Sequence, residues 1–115
     1  MINTFRGMSI DVETRKPRLG VGFGGLSGPA IRPLAVRMVH QVYKAVGVPV
    51  IGMGGISCLR DVLEFFLAGA SAVQVGTATY TNPTVSIEII EQLEQYCKQR
   101  NIVPADLTGK VQMPT

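Results

Sequence analysis

Two apolar runs, each ending in a glycine loop that leads into a helix-like stretch, constrain this chain most. Val48-Pro49-Val50-Ile51-Gly52-Met53 runs into Gly54-Gly55-Ile56, and Ala72-Val73-Gln74-Val75 runs into Gly76-Thr77-Ala78. Neither run alternates apolar with polar residues, which marks a strand covered on both faces in a parallel sheet. Between them, a helix over 58–68 puts Leu59, Val62, Leu63, Phe66 and Leu67 on one face, with Ser57 as its cap and Gly69 at its end. Ahead of the first run, Ile31, Leu34, Ala35, Met38, Val39, Val42 and Val46 form one stripe of a helix over 31–46 that Gly47 stops. Arg37, His40 and Lys44 take the opposite side, where His40 reads as a solvated surface residue. After the second run, a helix over 83–100 has Pro83 in its first turn and carries Ile89, Ile90, Leu93, Tyr96 and Cys97 inward.

The order helix, strand, helix, strand, helix predicts an α/β protein with a parallel sheet and helical crossovers. Two parallel strands alone leave both outer edges open. A complete (β/α)₈ barrel takes ~250 residues, against 115 in this chain, and Ile2-Asn3-Thr4 reads as the end of a strand without its body. The expectation is the C-terminal portion of a TIM (β/α)₈ barrel, roughly strands 7 and 8 with their helices. A β excursion precedes them, with short strands at 8–12 and 19–23 around the polar turn Glu13-Thr14-Arg15-Lys16-Pro17. The organisation expected is a loop region over 1–30, β/α units over 31–100, and a loosely ordered tail over 101–115, which has two prolines and little periodicity.

Composition narrows the function classes. A hydrophobic share of 46% with 17% charged residues suits a chain with a real core. The net charge is +3, but only Arg15, Lys16 and Arg18 cluster, and the aromatic 6% does not interleave with them, so no nucleic-acid partner is expected. The apolar runs are strand-sized, too short to cross a membrane. Met1 to Arg6 has no apolar signal region. Cys58 and Cys97 match no metal spacing and read as small packed, reduced thiols, so the chain is expected in the cytoplasm with no metal.

The glycine loops carry the chemistry. Glycine lets backbone N–H groups come close to phosphate oxygens, and a following helix adds the positive end of its dipole. Thr77 adds a hydroxyl. No Lys or Arg lies within either loop, so phosphate would be held by neutral donors. One such loop is equally well read as a tight strand-to-helix turn. Two of them, each at the C-terminal end of a strand, favour a phosphate site, as after the last strands of barrel enzymes. The spacing of Gly52, Gly54 and Gly55 is wrong for a dinucleotide fingerprint.

Several stretches resemble the dihydroorotate dehydrogenase family. They are Asn3-Thr4-Phe5-Arg6-Gly7-Met8, Glu13-Thr14-Arg15-Lys16-Pro17, Gly24-Gly25-Leu26-Ser27-Gly28-Pro29-Ala30-Ile31, Ile51-Gly52-Met53-Gly54-Gly55-Ile56, and the run from Ala68 to Ala78. The likeness is nearly collinear from Ile2 to about Tyr96 and weak in the tail. It is greatest to the heteromeric subtype that passes electrons to NAD through a partner subunit carrying FAD and an iron–sulfur cluster.

The resemblance implies an FMN flavoenzyme of pyrimidine biosynthesis that oxidises dihydroorotate to orotate, losing a proton from C5 to a Cys base and a hydride from C6 to FMN. It implies that Ile2 lines the flavin by its backbone, that Asn3 and Thr4 hydrogen-bond orotate, and that Gly28 passes beside FMN. Gly54, Gly55, Gly76 and Thr77 would bind its phosphate. The region 1–30 then serves substrate and flavin. The Cys base, a flavin-proximal Lys and further Asn residues lie upstream in the family, so no catalytic residue is expected here, and the missing N-terminal part of the barrel is an implied partner. The alternatives are a domain of the dihydropyrimidine dehydrogenase type, which shares these glycine loops, and a non-catalytic fragment that binds phosphate or a partner chain.

Overall fold

The computed structural model describes residues 4–115. Its centre is a parallel pair, β5 (Ile51–Met53) and β6 (Ala72–Gln74), in the register Ile51↔Ala72, Gly52↔Val73, Met53↔Gln74. Before it come α1 (Arg32–Ala45) and a short excursion. Between the strands lies α2 (Leu59–Ala68), and after them α3 (Ala78–Thr81) and α4 (Val85–Arg100). The alternation read from the sequence holds, and the class is mixed α/β.

The core sits where α1, α2 and the sheet meet. Phe65, with none of its surface exposed, packs over the middle of β5 beside Ala35, Val39, Val62 and Ala70. Gly52 makes this possible: a Cβ there would stand 2.5 Å from Phe65 Cδ1 and 3.2 Å from the Ala70 Cβ. Gly52 is thus a packing glycine. The strands were expected to be covered on both faces, but Ile51 and Met53 are 53% and 45% exposed. Side chains alternate across a strand, and the helices cover only the Gly52 face.

Helix ends follow local chemistry. α2 stops at Gly69, whose φ of 124° leaves its N–H bonding to the Phe65 and Phe66 carbonyls. α4 stops at Asn101 in the left-handed region, with Ile102 N–H reaching the Cys97 carbonyl at 3.1 Å. α1 ends at Ala45 with Val46 already extended, before Gly47. The helix expected over 83–100 is α4, which starts two residues later, and the short α3 precedes it: the Asn82 side chain accepts from the Thr84 N–H and hydroxyl at 3.1 and 2.8 Å, holding a turn between α3 and α4.

Three further expectations are corrected. The excursion pairs as β1 (Phe5–Gly7) with β4 (Gly24–Leu26), and β2 (Ile10–Asp11) with β3 (Lys16–Pro17), both antiparallel. The stretch 19–23 is therefore a turn, closed by Gly22 N–H to Leu19 O at 2.9 Å, and β2 is confined to part of 8–12. A polar residue sets the β2–β3 turn: the Asp11 carboxylate accepts the Glu13 and Thr14 N–H groups. His40 is half-buried, and its Nδ1 lies 3.3 Å from the Ala68 carbonyl oxygen, linking α1 to the end of α2. The tail is held: Gly109 and Val111 donate N–H groups to Phe66 and Leu67 carbonyls at 2.9 and 3.1 Å, and the Thr108 hydroxyl donates to Ala70 O at 3.2 Å. These carbonyls lie at the C-terminal end of α2 and just past it, where acceptors are left over.

Candidate functional site

At the C-terminal ends of β5 and β6 the two glycine loops face each other across a cleft of about 380 Å³. Gly54, Gly55 and Ile56 form one wall, Gly76, Thr77 and Ala78 the other, and β4 delivers Ser27 and Gly28 from the side. Thr4 stands at the mouth, packed so closely on Gly25 that a Cβ there would lie 2.8 Å from the Thr4 Oγ1. The cleft therefore unites Thr4, Gly28, Gly54, Gly55, Gly76 and Thr77, all singled out in the sequence. Ile2 and Asn3 lie outside the described residues.

Three of the glycines have backbone that other residues adopt only under strain: Gly28 at φ 88°, Gly54 at 129° and Gly55 at 73°. Their crowding differs. A Cβ on Gly55 would meet the Gly28 carbonyl oxygen and the first residue of α1, whereas one on Gly76 would meet nothing within 4 Å. The Gly76 carbonyl accepts from the Thr79 N–H and hydroxyl at 3.0 and 2.6 Å. Because the peptide unit is planar and trans, the Thr77 N–H points the opposite way. The N–H groups of Gly55, Gly76 and Thr77 find no acceptor among the described residues.

Among the described residues no charged side chain lines the cleft. The nearest ion pair lies behind the Gly55 loop, where Arg32 Nη1 contacts Asp61 Oδ1 at 2.9 Å. Asp61 is 2% exposed, and its other oxygen accepts the Ser57 N–H (2.8 Å), the Ser57 hydroxyl (3.0 Å) and the Cys58 N–H (3.2 Å). Burial alone would raise its pKa, but these donors and Arg32 outweigh burial and hold the carboxyl below its ordinary range. Ser57 is thus not the cap of α2: the N-cap is Cys58, and the acid three residues on closes back over it. The spacing Cys58-Leu59-Arg60-Asp61 was the available signal, and a reading that looked for a hydroxyl at the cap missed it. Gln74 and Thr81 also line the cleft without having been singled out. Cys58 is exposed and Cys97 buried, both free, so packing holds for the second only. Among the described residues no three His, Cys, Asp or Glu side chains group as metal ligands, and no helix is long and apolar enough to cross a membrane.

A family model described as dihydroorotate dehydrogenase matches residues 1–97. The catalytic subunit of dihydroorotate dehydrogenase B (NAD(+)) from Brachyspira hyodysenteriae is 57% identical over 102 residues, 89% of this chain and 34% of the relative. The subunit of the same name from Bacillus pumilus is 62% identical over 93 residues, 81% of this chain and 30% of the relative. A putative dihydroorotate dehydrogenase A (fumarate) from Solibacter usitatus is 51% identical over 110 residues, 95% and 36% of the two chains. The chain thus spans about a third of the length of the curated relatives it matches. With the family model covering most of its length and its glycine loops built around one cleft, the chain belongs to the dihydroorotate dehydrogenase family.

Proposed function

We propose that this chain is the FMN-phosphate-binding portion of a dihydroorotate dehydrogenase that oxidises dihydroorotate to orotate in pyrimidine biosynthesis. The observation that carries the reading is the convergence of the two glycine loops on one cleft with the Gly55, Gly76 and Thr77 N–H groups unengaged among the described residues. Unpaired backbone donors at the C-terminal ends of neighbouring parallel strands suit a phosphate. FMN, when bound, supplies a hydride acceptor. The protein's part is to hold the phosphate on Gly54, Gly55, Gly76 and Thr77, with Gly28 passing its backbone beside the cofactor and Ile2 lining it. Asn3 and Thr4 would hold the pyrimidine edge, for which an amide and a hydroxyl supply mixed donors and acceptors.

The exposed face of the sheet supports the finer fold reading. Ile51 and Met53, with Ala72 and Gln74, form a face that α1 and α2 leave uncovered. In a (β/α)₈ barrel that face is the packed interior, so β5 and β6 correspond to strands 7 and 8. The segments 1–30, 31–100 and 101–115 then serve as substrate and flavin loops, phosphate-binding β/α units and tail. The name shared by two relatives, a catalytic subunit of an NAD(+)-linked enzyme, supports a partner subunit; the family resemblance makes that partner one that carries electrons onward through FAD and an iron–sulfur cluster. The likeness to a fumarate-linked relative favours a second reading for the electron acceptor alone. Free thiols suit the cytoplasm as the compartment.

Titration of the flavin-free complete polypeptide with FMN and with riboflavin tests the cofactor. FMN should bind much the tighter, and equal affinities would remove the phosphate site. Dihydroorotate turnover with NAD or fumarate then separates the acceptors. The 115-residue chain by itself should show no turnover with FMN added, because the family's Cys base lies outside it and proton abstraction contributes ~10²–10⁴-fold.

A further inference from the structure

We propose that Asp61 is a positioning residue for the phosphate loop: it fixes the chain from Gly54 to Ser57 in its donor-presenting shape and keeps Arg32 behind that loop. This deepens the FMN reading above and rests on it. The Asp61 carboxylate is almost fully buried and joins three elements at once. Its Oδ2 takes both donors of Ser57, the residue that ends the loop, and the N–H of Cys58, the cap of α2. Its Oδ1 takes Nη1 of Arg32, the first residue of α1. Arg32 in turn forms the floor of the loop, because its Cβ and backbone N lie 2.9 and 3.1 Å from where a Gly55 side chain would start.

Two consequences follow. The amides just ahead of α2, on Ser57 and Cys58, are occupied by an internal anion, whereas the loop amides of Gly55, Gly76 and Thr77 remain unengaged among the described residues and open to a ligand phosphate. The orientation of the Gly55 amide is set by the anchor at Ser57, two residues on. Arg32 has no better partner than Asp61: its buried Nε makes no hydrogen bond, and Glu64 Oε2 is 3.7 Å away, beyond hydrogen-bond length. Asp61 therefore holds Arg32 in place as the floor of the loop. The phosphate site stays neutral, and its selectivity comes from amide geometry.

The test reads the phosphate increment, the ratio of riboflavin to FMN dissociation constants, in the complete polypeptide carrying this segment. D61N should lower that ratio about tenfold or more, the scale of losing a charge-assisted set of hydrogen bonds, while riboflavin affinity stays the same. E64Q, which alters the outer, longer contacts to Arg32 and to the exposed Arg60, should leave the ratio unchanged. A purely structural role for Asp61 would weaken both flavins alike, and that outcome overturns the proposal. So does an unchanged or raised ratio in folded D61N, since a loop released from its anchor should hold the phosphate less well. Should D61N fail to fold, S57A keeps the carboxylate and Arg32 but removes one anchor; a lowered ratio supports the proposal and an unchanged ratio overturns it. A parent ratio near one defeats the phosphate reading itself, and the parent measurement tells that failure apart from failure of the Asp61 role.

Discussion

A side chain on Gly55 would start 2.6 Å from the carbonyl oxygen of Gly28, so the first glycine loop is closed against the excursion as well as opened toward the cleft. Gly55→Val is expected to lower stability by about 2–4 kcal/mol, from a branched residue at φ 73° and overpacking against Gly28 and Arg32. Denaturant unfolding without flavin checks this. The geometry turns that side chain toward the Gly28 carbonyl and α1, so weak FMN binding by this variant would not by itself establish the phosphate site.

Gly76→Ala is the cleaner probe. Its Cβ meets nothing within 4 Å and stands beside the cleft. Stability should change by no more than about 0.5 kcal/mol, while FMN binding weakens several-fold and riboflavin binding does not. Equal FMN affinity in parent and variant would leave these loops as turns only.

The last residues should matter for stability. Removing 101–115 deletes the bonds from Thr108, Gly109 and Val111 and uncovers the ring of Tyr43, against which Gly109 packs. The expected loss is about 2–4 kcal/mol, from three hydrogen bonds at roughly 1 kcal/mol each and some apolar burial. Thermal unfolding that is unchanged by the truncation would show the tail to be dispensable.

Acid should weaken the fold partly through Asp61. Its folded-state pKa is lowered from 3.8, so the unfolded chain binds the proton first. The contribution is fully present above that ordinary value and is lost as pH falls toward the lower folded-state value. Asp11 and Glu88 are lowered too, but both are solvent-exposed. D61N should therefore be less stable than the parent at neutral pH and show a shallower fall of stability below about pH 4. Parallel slopes for the two proteins would contradict this.

The two-stranded sheet should make the isolated chain self-associate. β5 and β6 each have one unpaired edge among the described residues, and Ile51 and Met53 are exposed on the uncovered face. Sedimentation should show concentration-dependent association, and a compact monomer at all concentrations would argue otherwise.

The periodicity of 31–46 and of 58–68, the apolar runs at 48–53 and 72–75 and the glycines after them were enough to determine the β/α order and to pick out Gly54, Gly55, Gly76 and Thr77, whereas Gly28 came from the family resemblance. These depend on local patterns: a 3.6-residue stripe, an unbroken apolar run and a residue without Cβ. What the tertiary structure decided was which partner each residue met. Gly52 and Gly55 look alike in sequence, yet one makes room for Phe65 and the other for Gly28 and Arg32. His40, on a polar face, finds the Ala68 carbonyl because α1 crosses the end of α2. Asp61 reads as an ordinary first-turn acid until α1 brings Arg32 to it. Backbone conformation and amphipathicity are properties of a few neighbouring residues and are written in the chain, whereas the worth of a buried charge or a missing side chain depends on atoms tens of residues away, which only folding brings within reach.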